Sequence, residues 1–220
     1  MNPLRGSAAE AGQARLRPSG ASAWQAHCVT DRRRYELSLD DLVDRTVRAA
    51  AAGADLVQVR ERDLSDARLA AVVRRIVDAV ASSGARVLVN DRVDVAIAAG
   101  AAGVHLRGDS PPASRVRAIA PDGFLVGRSV HSLAEVDAAV ADEGCDYLMF
   151  GTVFRSSGKP DGHPVAGLEA LAAACRRSPV PVIAIGGVTR ARAADVAAAG
   201  AAGFAAVDMF MRLTPLPEVV

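Results

Sequence analysis

The stretch AAGADLVQVR (51–60) ends an Ala-rich helical pattern at Gly53 and opens a short apolar run at Leu56. The same joint returns as AAGAAGVHLR (98–107), DEGCDYLMFG (142–151) and AAGAAGFAAV (198–207). At each one, glycine is read as the left-handed residue that stops a helix, and the run that follows is read as a strand. Apolar runs also stand at 26–30 (AHCVT), 86–90 (RVLVN), 124–127 (FLVG) and 181–187 (PVIAIGG), which makes eight strand candidates.

Between them, apolar residues recur at helical spacing: Leu39, Leu42, Val43 and Val47; Leu69, Val72, Val73, Ile76, Val77 and Val80; Leu133, Val136 and Val140. Fully apolar strands alternating with helices call for a parallel sheet covered by helices. Eight such units in 220 residues predict one closed (β/α)₈ TIM barrel over 24–220, and no early GxGxxG joint favours an open sheet. The two prolines in DMFMRLTPLPEVV (208–220) predict that the eighth helix is short or missing, a gap that a homodimer partner could cover.

Composition narrows the function classes. A formal net charge of +1 argues against a nucleic-acid face, and no apolar stretch reaches the length of a membrane span. Cys28, Cys145 and Cys175 are odd in number and widely spaced, so reduced thiols and a cytoplasmic location are expected. Residues 1–23 lack an apolar signal core and read as a disordered tail.

In such a barrel the chemistry gathers where the strands end in their C-terminal loops. The ends read Thr30 and Asp31; Gln58, Arg60, Glu61 and Arg62; Asn90 and Asp91; His105, Arg107 and Asp109; Arg128, Ser129 and His131; Thr152 and a loop with Lys159; Gly186 and Gly187; and Asp208. The opposite ends are Ala- and Gly-rich, so polarity is expected on one side only. Arg60, Arg62, Arg128 and Lys159 would concentrate positive charge there for an anionic, phosphate-bearing ligand. The Gly186–Gly187 turn offers backbone N–H groups to a phosphate, or serves only as a tight turn.

Five ordered blocks, QVRER (58–62), VNDRVDVAIAAGAAGVHL (89–106), VGRSVHSLAE (126–135), DYLMFGTVFRSSGKP (146–160) and PVIAIGGV (181–188), resemble the superfamily of thiamin-phosphate synthases and TenI-type thiazole tautomerases over about 26–210. The resemblance implies a (β/α)₈ barrel acting on a thiazole phosphate. Arg-Glu-Arg at 60–62, the GRSVHS block and the Phe-Gly-x-Val-Phe block look like the tautomerase branch. That reading makes the chain a metal-free isomerase, without cofactor, in which His131 carries the proton. Gln58, Arg60, Arg62, Asn90, Arg128, Ser129, Lys159, Gly186 and Gly187 would then bind substrate.

The alternative is the synthase, which joins a pyrimidine diphosphate to the thiazole phosphate with Mg²⁺. Asn90, Asp91, Ser129 and Lys159 fit its pattern, with Asp91 and Asp109 as metal ligands. Against it stand Arg62 where the pattern has lysine, LRGDSPP (106–112), which keeps Asp109 one position out of register, and Ser156-Ser157-Gly158 in place of Thr-x-Thr. A third reading is a non-catalytic ligand-binding relative, motivated by the short C-terminus and by Asp208, a carboxylate where a phosphate is expected.

Overall fold

The computed structural model describes residues 25–212. The elements run β1 (Gln25–Val29), α1 (Leu39–Ala51), β2 (Leu56–Val59), α2 (Asp66–Val80), β3 (Arg86–Asn90), α3 (Val93–Ala98), β4 (Gly103–Leu106) and α4 (Ala113–Arg117). They continue as β5 (Leu125–Val130), α5 (Leu133–Ala141), β6 (Tyr147–Gly151), α6 (Gly167–Arg177), β7 (Val182–Ile185), α7 (Ala193–Ala198), β8 (Gly203–Ala206) and α8 (Asp208–Met211). All eight strands are parallel and pair in sequence order, and β8 closes on β1 with Ala26 opposite Phe204. The barrel is therefore the expected one, with an eighth helix of four residues. The tail over 1–23 lies outside the described residues.

Local chemistry starts the helices where the periodicity places them. Ser38 Oγ accepts from the Asp41 N–H while the Asp41 carboxylate accepts from the Ser38 N–H, a reciprocal cap on α1. Ser132 Oγ accepts from the Glu135 N–H and starts α5. The apolar stripe of α2, from Leu69 through Val72, Val73 and Ile76 to Val80, is buried against the strands. No helix among the described residues is long and apolar enough to cross a membrane.

The joint at 142–151 departs from the glycine rule. There Glu143 takes the left-handed conformation (φ 55°), and Gly144 answers a packing need, since a Cβ on it would stand 2.3 Å from the Ala113 carbonyl carbon.

Val29, Leu56, Leu88, Leu125, Tyr147, Met149, Ile183 and Ala205 fill the lumen, so alternation aims Gln58, Asn90, His105 and Ser129 inward as well. Tyr147 crosses the lumen because Gly127 faces it, and a Cβ there would lie 2.0 Å from the ring. His105 contacts the Tyr147 hydroxyl and Ser129 Oγ through its two ring nitrogens, both at 2.9 Å. The floor is more polar than the Ala/Gly-rich strand starts predict. Gln25 and His27 occupy it, with Arg86 close enough to act electrostatically on the His27 ring.

Candidate functional site

The C-terminal ends of the strands form a cavity of about 480 Å³ lined by Asp31, Arg33, Arg34, Arg60, Glu61, Arg62 and Asp63. Glu61 is buried and organises this rim. Its carboxylate accepts from Thr30 Oγ1 at 2.6 Å and from the Arg32 N–H at 3.2 Å, with Arg32 Nε at 3.6 Å. Burial still pushes the Glu61 carboxyl above its ordinary value, against those bonds. The Arg60 N–H donates to Thr30 Oγ1, and its guanidinium meets Asp31 at 3.2 Å.

Arginines gather at the mouth together with acidic residues, Arg33, Arg34, Arg60 and Arg62 beside Asp31, Glu61 and Asp63. Partial burial and then the charges of Arg60 and Arg107 lower the Arg62 pKa, with Asp31 and Asp91 opposing them. Lys159, the only lysine in the sequence, is exposed and has no ion-pair partner among the described residues. Arg128 lies elsewhere. β5 continues three residues beyond the apolar run, so its alternation turns Arg128 outward, where it donates to the carbonyls of Pro111, Gly108 and Ser110. Its charge holds the β4–α4 loop instead of joining Arg60 and Arg62.

Gln58 Nε2 donates to Asn90 Oδ1 at 3.0 Å, and Gln58 Oε1 is buried without a protein partner, a free acceptor under the mouth. Ser129 is held by His105. His131 is exposed; its Nδ1–H donates to the Gly151 carbonyl at 2.5 Å and its backbone N–H donates to Glu135, which leaves Nε2 open. Gly186 and Gly187 have φ of 97° and 63°, and the β6–α6 loop lies on them so closely that a Cβ on Gly187 would stand 2.3 Å from the Arg155 carbonyl oxygen. Among the described residues the N–H groups of Gly187 and Val188 donate to no protein acceptor. Both roles of the turn, tight approach and free N–H groups, are therefore present.

Asp208 is fully partnered. Its carboxylate takes the Tyr35 hydroxyl, Ser157 Oγ at 2.7 Å and Arg34 Nη2 at 2.9 Å, which ties the β6–α6 loop to the β1–α1 turn. Burial works to raise its pKa, but those hydrogen bonds and the charges of Arg34 and Arg212 hold it below the ordinary value. Arg33, Arg34 and Tyr35 were not legible as site residues, and Arg107 was legible only at a strand end, without a role. The DRRRY run directly after β1 was the available signal.

No group of three or more His, Cys, Asp or Glu side chains among the described residues could hold a metal alone. Asp91 and Asp109 do share one cation: Arg107 Nη1 is 3.6 Å from Asp91 Oδ2, and Nη2 is on Asp109 Oδ2. Ser110 Oγ donates to the other Asp91 oxygen. Mg²⁺ usually takes one or two carboxylates and completes its shell with water and substrate phosphates, so these residues fit a cation shared with a diphosphate.

The family model described as thiamine monophosphate synthase matches residues 26–210. The thiamine-phosphate synthase of Methanoculleus marisnigri is 45% identical over 160 residues, 73% of this chain and 75% of that protein. That of Roseiflexus sp. is 37% identical over 202 residues, 91% and 83%. The solved thiamine phosphate pyrophosphorylase from Pyrococcus furiosus superposes with a TM-score of 0.77 at 30% identity, covering 89% of this chain and 91% of that one. These likenesses overturn the expectation of a metal-free tautomerase, and with it the isomerase class. The three blocks that pointed there are compatible with proteins that bear the synthase name. By the family match and by these relatives, the chain belongs to the thiamine monophosphate synthase family.

Proposed function

We propose that this chain is a thiamin-phosphate synthase, a transferase that joins a pyrimidine diphosphate to a thiazole phosphate and releases pyrophosphate. Its observation of greatest weight is the 45% identity to a thiamine-phosphate synthase across three quarters of both chains. The bond broken runs from the pyrimidine's methylene carbon to a diphosphate oxygen, and the bond formed runs from that carbon to the thiazole nitrogen.

Arg60, Arg62 and Lys159 would receive the diphosphate, whose negative charge grows as the bond to carbon breaks. Asp91, with Asp109 beside it, would hold Mg²⁺, which neutralises the leaving group when bound. Gln58 and Asn90 would orient the pyrimidine, and the free Gln58 Oε1 suits an amino donor. Ser129, fixed by His105, would contact substrate at the same depth. The Gly187 and Val188 N–H groups would take the thiazole phosphate. Because Asp208 is neutralised by Arg34 and by hydroxyl donors, it need not repel that phosphate.

The test is thiamin phosphate formation from the pyrimidine diphosphate, the thiazole phosphate and Mg²⁺. Asp91→Ala should cost about 100-fold or more in kcat/KM, on the scale of losing one charge-stabilising group. His131→Asn should cost less than about tenfold, below the 10²–10⁴ of a lost acid–base group. Folded protein that binds both substrates and forms no product would sink the reading.

A further inference from the structure

The cation between Asp91 and Asp109 is a protein group. Arg107 directly follows β4, and its ion pairs with Asp91 and Asp109 hold its guanidinium at the C-terminal ends of β3 and β4. It reaches Asp91 with Nη1 and Asp109 with Nη2, and it stands close enough to Arg62 to help depress that pKa. It therefore belongs both to the carboxylates that would bind a divalent cation and to the positive cluster that would bind a diphosphate. A carboxylate oxygen that faces a guanidinium must give up most of that attraction before it can coordinate a metal.

We infer that Arg107 is a built-in competitor of the divalent cation: it neutralises Asp91 and Asp109 in the free protein and turns onto the diphosphate when metal and substrate enter together. Two consequences follow from that exchange. The free protein binds divalent cations weakly, because each ion must first displace Arg107. Diphosphate then strengthens metal binding twice, by bridging the ion and by giving the displaced guanidinium a new partner, and the coupling is reciprocal. The identity of the diphosphate rests on the synthase reading, whereas the competition for Asp91 and Asp109 needs no turnover.

Titration of the full chain with Mn²⁺, followed by electron paramagnetic resonance, tests this directly. The Arg107 side chain is 45% exposed, so Arg107→Gln leaves the core untouched, and thermal melts check that the fold is kept. Arg107→Gln should bind Mn²⁺ about tenfold more tightly than the parent, because one direct competitor at the carboxylates is gone. Arg107→Lys should stay near the parent, since an ammonium still competes. Arg62→Gln removes a neighbouring charge without freeing either carboxylate and should gain less than about threefold at ordinary ionic strength. Inorganic pyrophosphate should raise the Mn²⁺ affinity of the parent by a larger factor than that of Arg107→Gln. Unchanged Mn²⁺ affinity in Arg107→Gln, an equal gain in Arg62→Gln, or an equal pyrophosphate effect in parent and Arg107→Gln would each overturn the inference. Absence of thiamin phosphate formation would instead remove the synthase reading and leave the cation competition standing.

Discussion

Replacing Asp208 with alanine removes a carboxylate that ties the β6–α6 loop to the β1–α1 turn, alongside the direct hydrogen bond from Arg34 Nη2 to Ser157 Oγ at 2.8 Å. Three donors converge on its carboxylate: the Tyr35 hydroxyl, Ser157 Oγ at 2.7 Å and Arg34 Nη2 at 2.9 Å. Hydrogen bonds to a charged group contribute about 1.5–3 kcal/mol each when shielded, and about 1 kcal/mol is the fair figure for a side chain that is 32% exposed. Only the Ser157 bond among them ends on the loop, so the variant should loosen it by about 1 kcal/mol and open it roughly fivefold more often. The loop's ends stay anchored, because Val153 and Phe154 donate to the Ile185 and Gly186 carbonyls at 2.9 Å. Loosening is therefore confined to the segment around Lys159, whose N–H donates to the Ser156 carbonyl at 3.1 Å. Hydrogen exchange read by mass spectrometry should show 155–163 losing about fivefold protection while β6 and β7 keep theirs. In the synthase assay kcat/KM should fall up to about fivefold, as Lys159 is presented less often. Because the folded pKa of Asp208 is depressed, its contribution is present above the ordinary carboxylate range and is lost as pH falls through the folded value, so the tie is intact at neutral pH. Unchanged exchange at 155–163, or a rise in kcat/KM as expected of an unpaired charge repelling phosphate, would refute the reasoning.

Gly127→Ala places a Cβ 2.0 Å from the Tyr147 ring in a closed lumen, and a loss of about 3 kcal/mol or more, seen as an early urea midpoint or insoluble protein, is the expected result. Acid should destabilise the fold through two lumen histidines. Burial first, then His105 and Arg86, push His27 down to about 3, and burial followed by Arg128 does the same to His105. Both rings are native when neutral, so their contribution is complete above the unfolded value of 6.5 and is lost as pH falls toward 3; at pH 5 each should cost about 2 kcal/mol, and melts that are flat from pH 7 to 5 would contradict this. Lys159 is the only ε-amine in the sequence, so acetylation at one peptide reports its access, and pyrophosphate with Mg²⁺ should slow that labelling at least about fivefold if it receives the diphosphate. Labelling that ignores pyrophosphate would separate Lys159 from the anion site.

The barrel was legible because helix and strand carry different periods and the αβ joint repeats. Leu69, Val72, Val73, Ile76, Val77 and Val80 mark one face of α2 in the sequence, and all but the half-buried Val77 are buried. What the repeat does not reveal is which residue bends at each joint. Glu143 does so where glycine stands next to it, because that glycine is needed for clearance from Ala113. Strand ends were also hidden: glycine and arginine at 127 and 128 look like the start of a loop, yet edge-to-edge pairing with β6 carries β5 through Val130. That three-residue extension decides that Arg128 faces away from the mouth while Ser129 faces into it.

The site was legible to the extent that its residues sit on strands, whose alternation dictates which side chains converge. Gln58 meets Asn90 at 3.0 Å and His105 meets Ser129 at 2.9 Å for that reason. Residues on loops obey no such rule, and there charge partners are chosen by three-dimensional proximity. Asp208 looked like a carboxylate facing a phosphate until Tyr35, 173 positions earlier, and Ser157, 51 positions earlier, proved to be its partners. Arg107 was legible at the end of β4 but its role was not, for the same reason, since its carboxylate at Asp91 comes from the neighbouring strand's loop. The choice between branches failed on this ground too. Arg-Glu-Arg and the GRSVHS block are strand-end features that position groups at the mouth, and Glu61 does structural service there by fixing Thr30 and Arg32. Such features fix the shape of a mouth without naming its reaction. The reaction depends on how loop charges divide between one another and the ligand, and in this chain Arg107 and Asp208 are where that division is made.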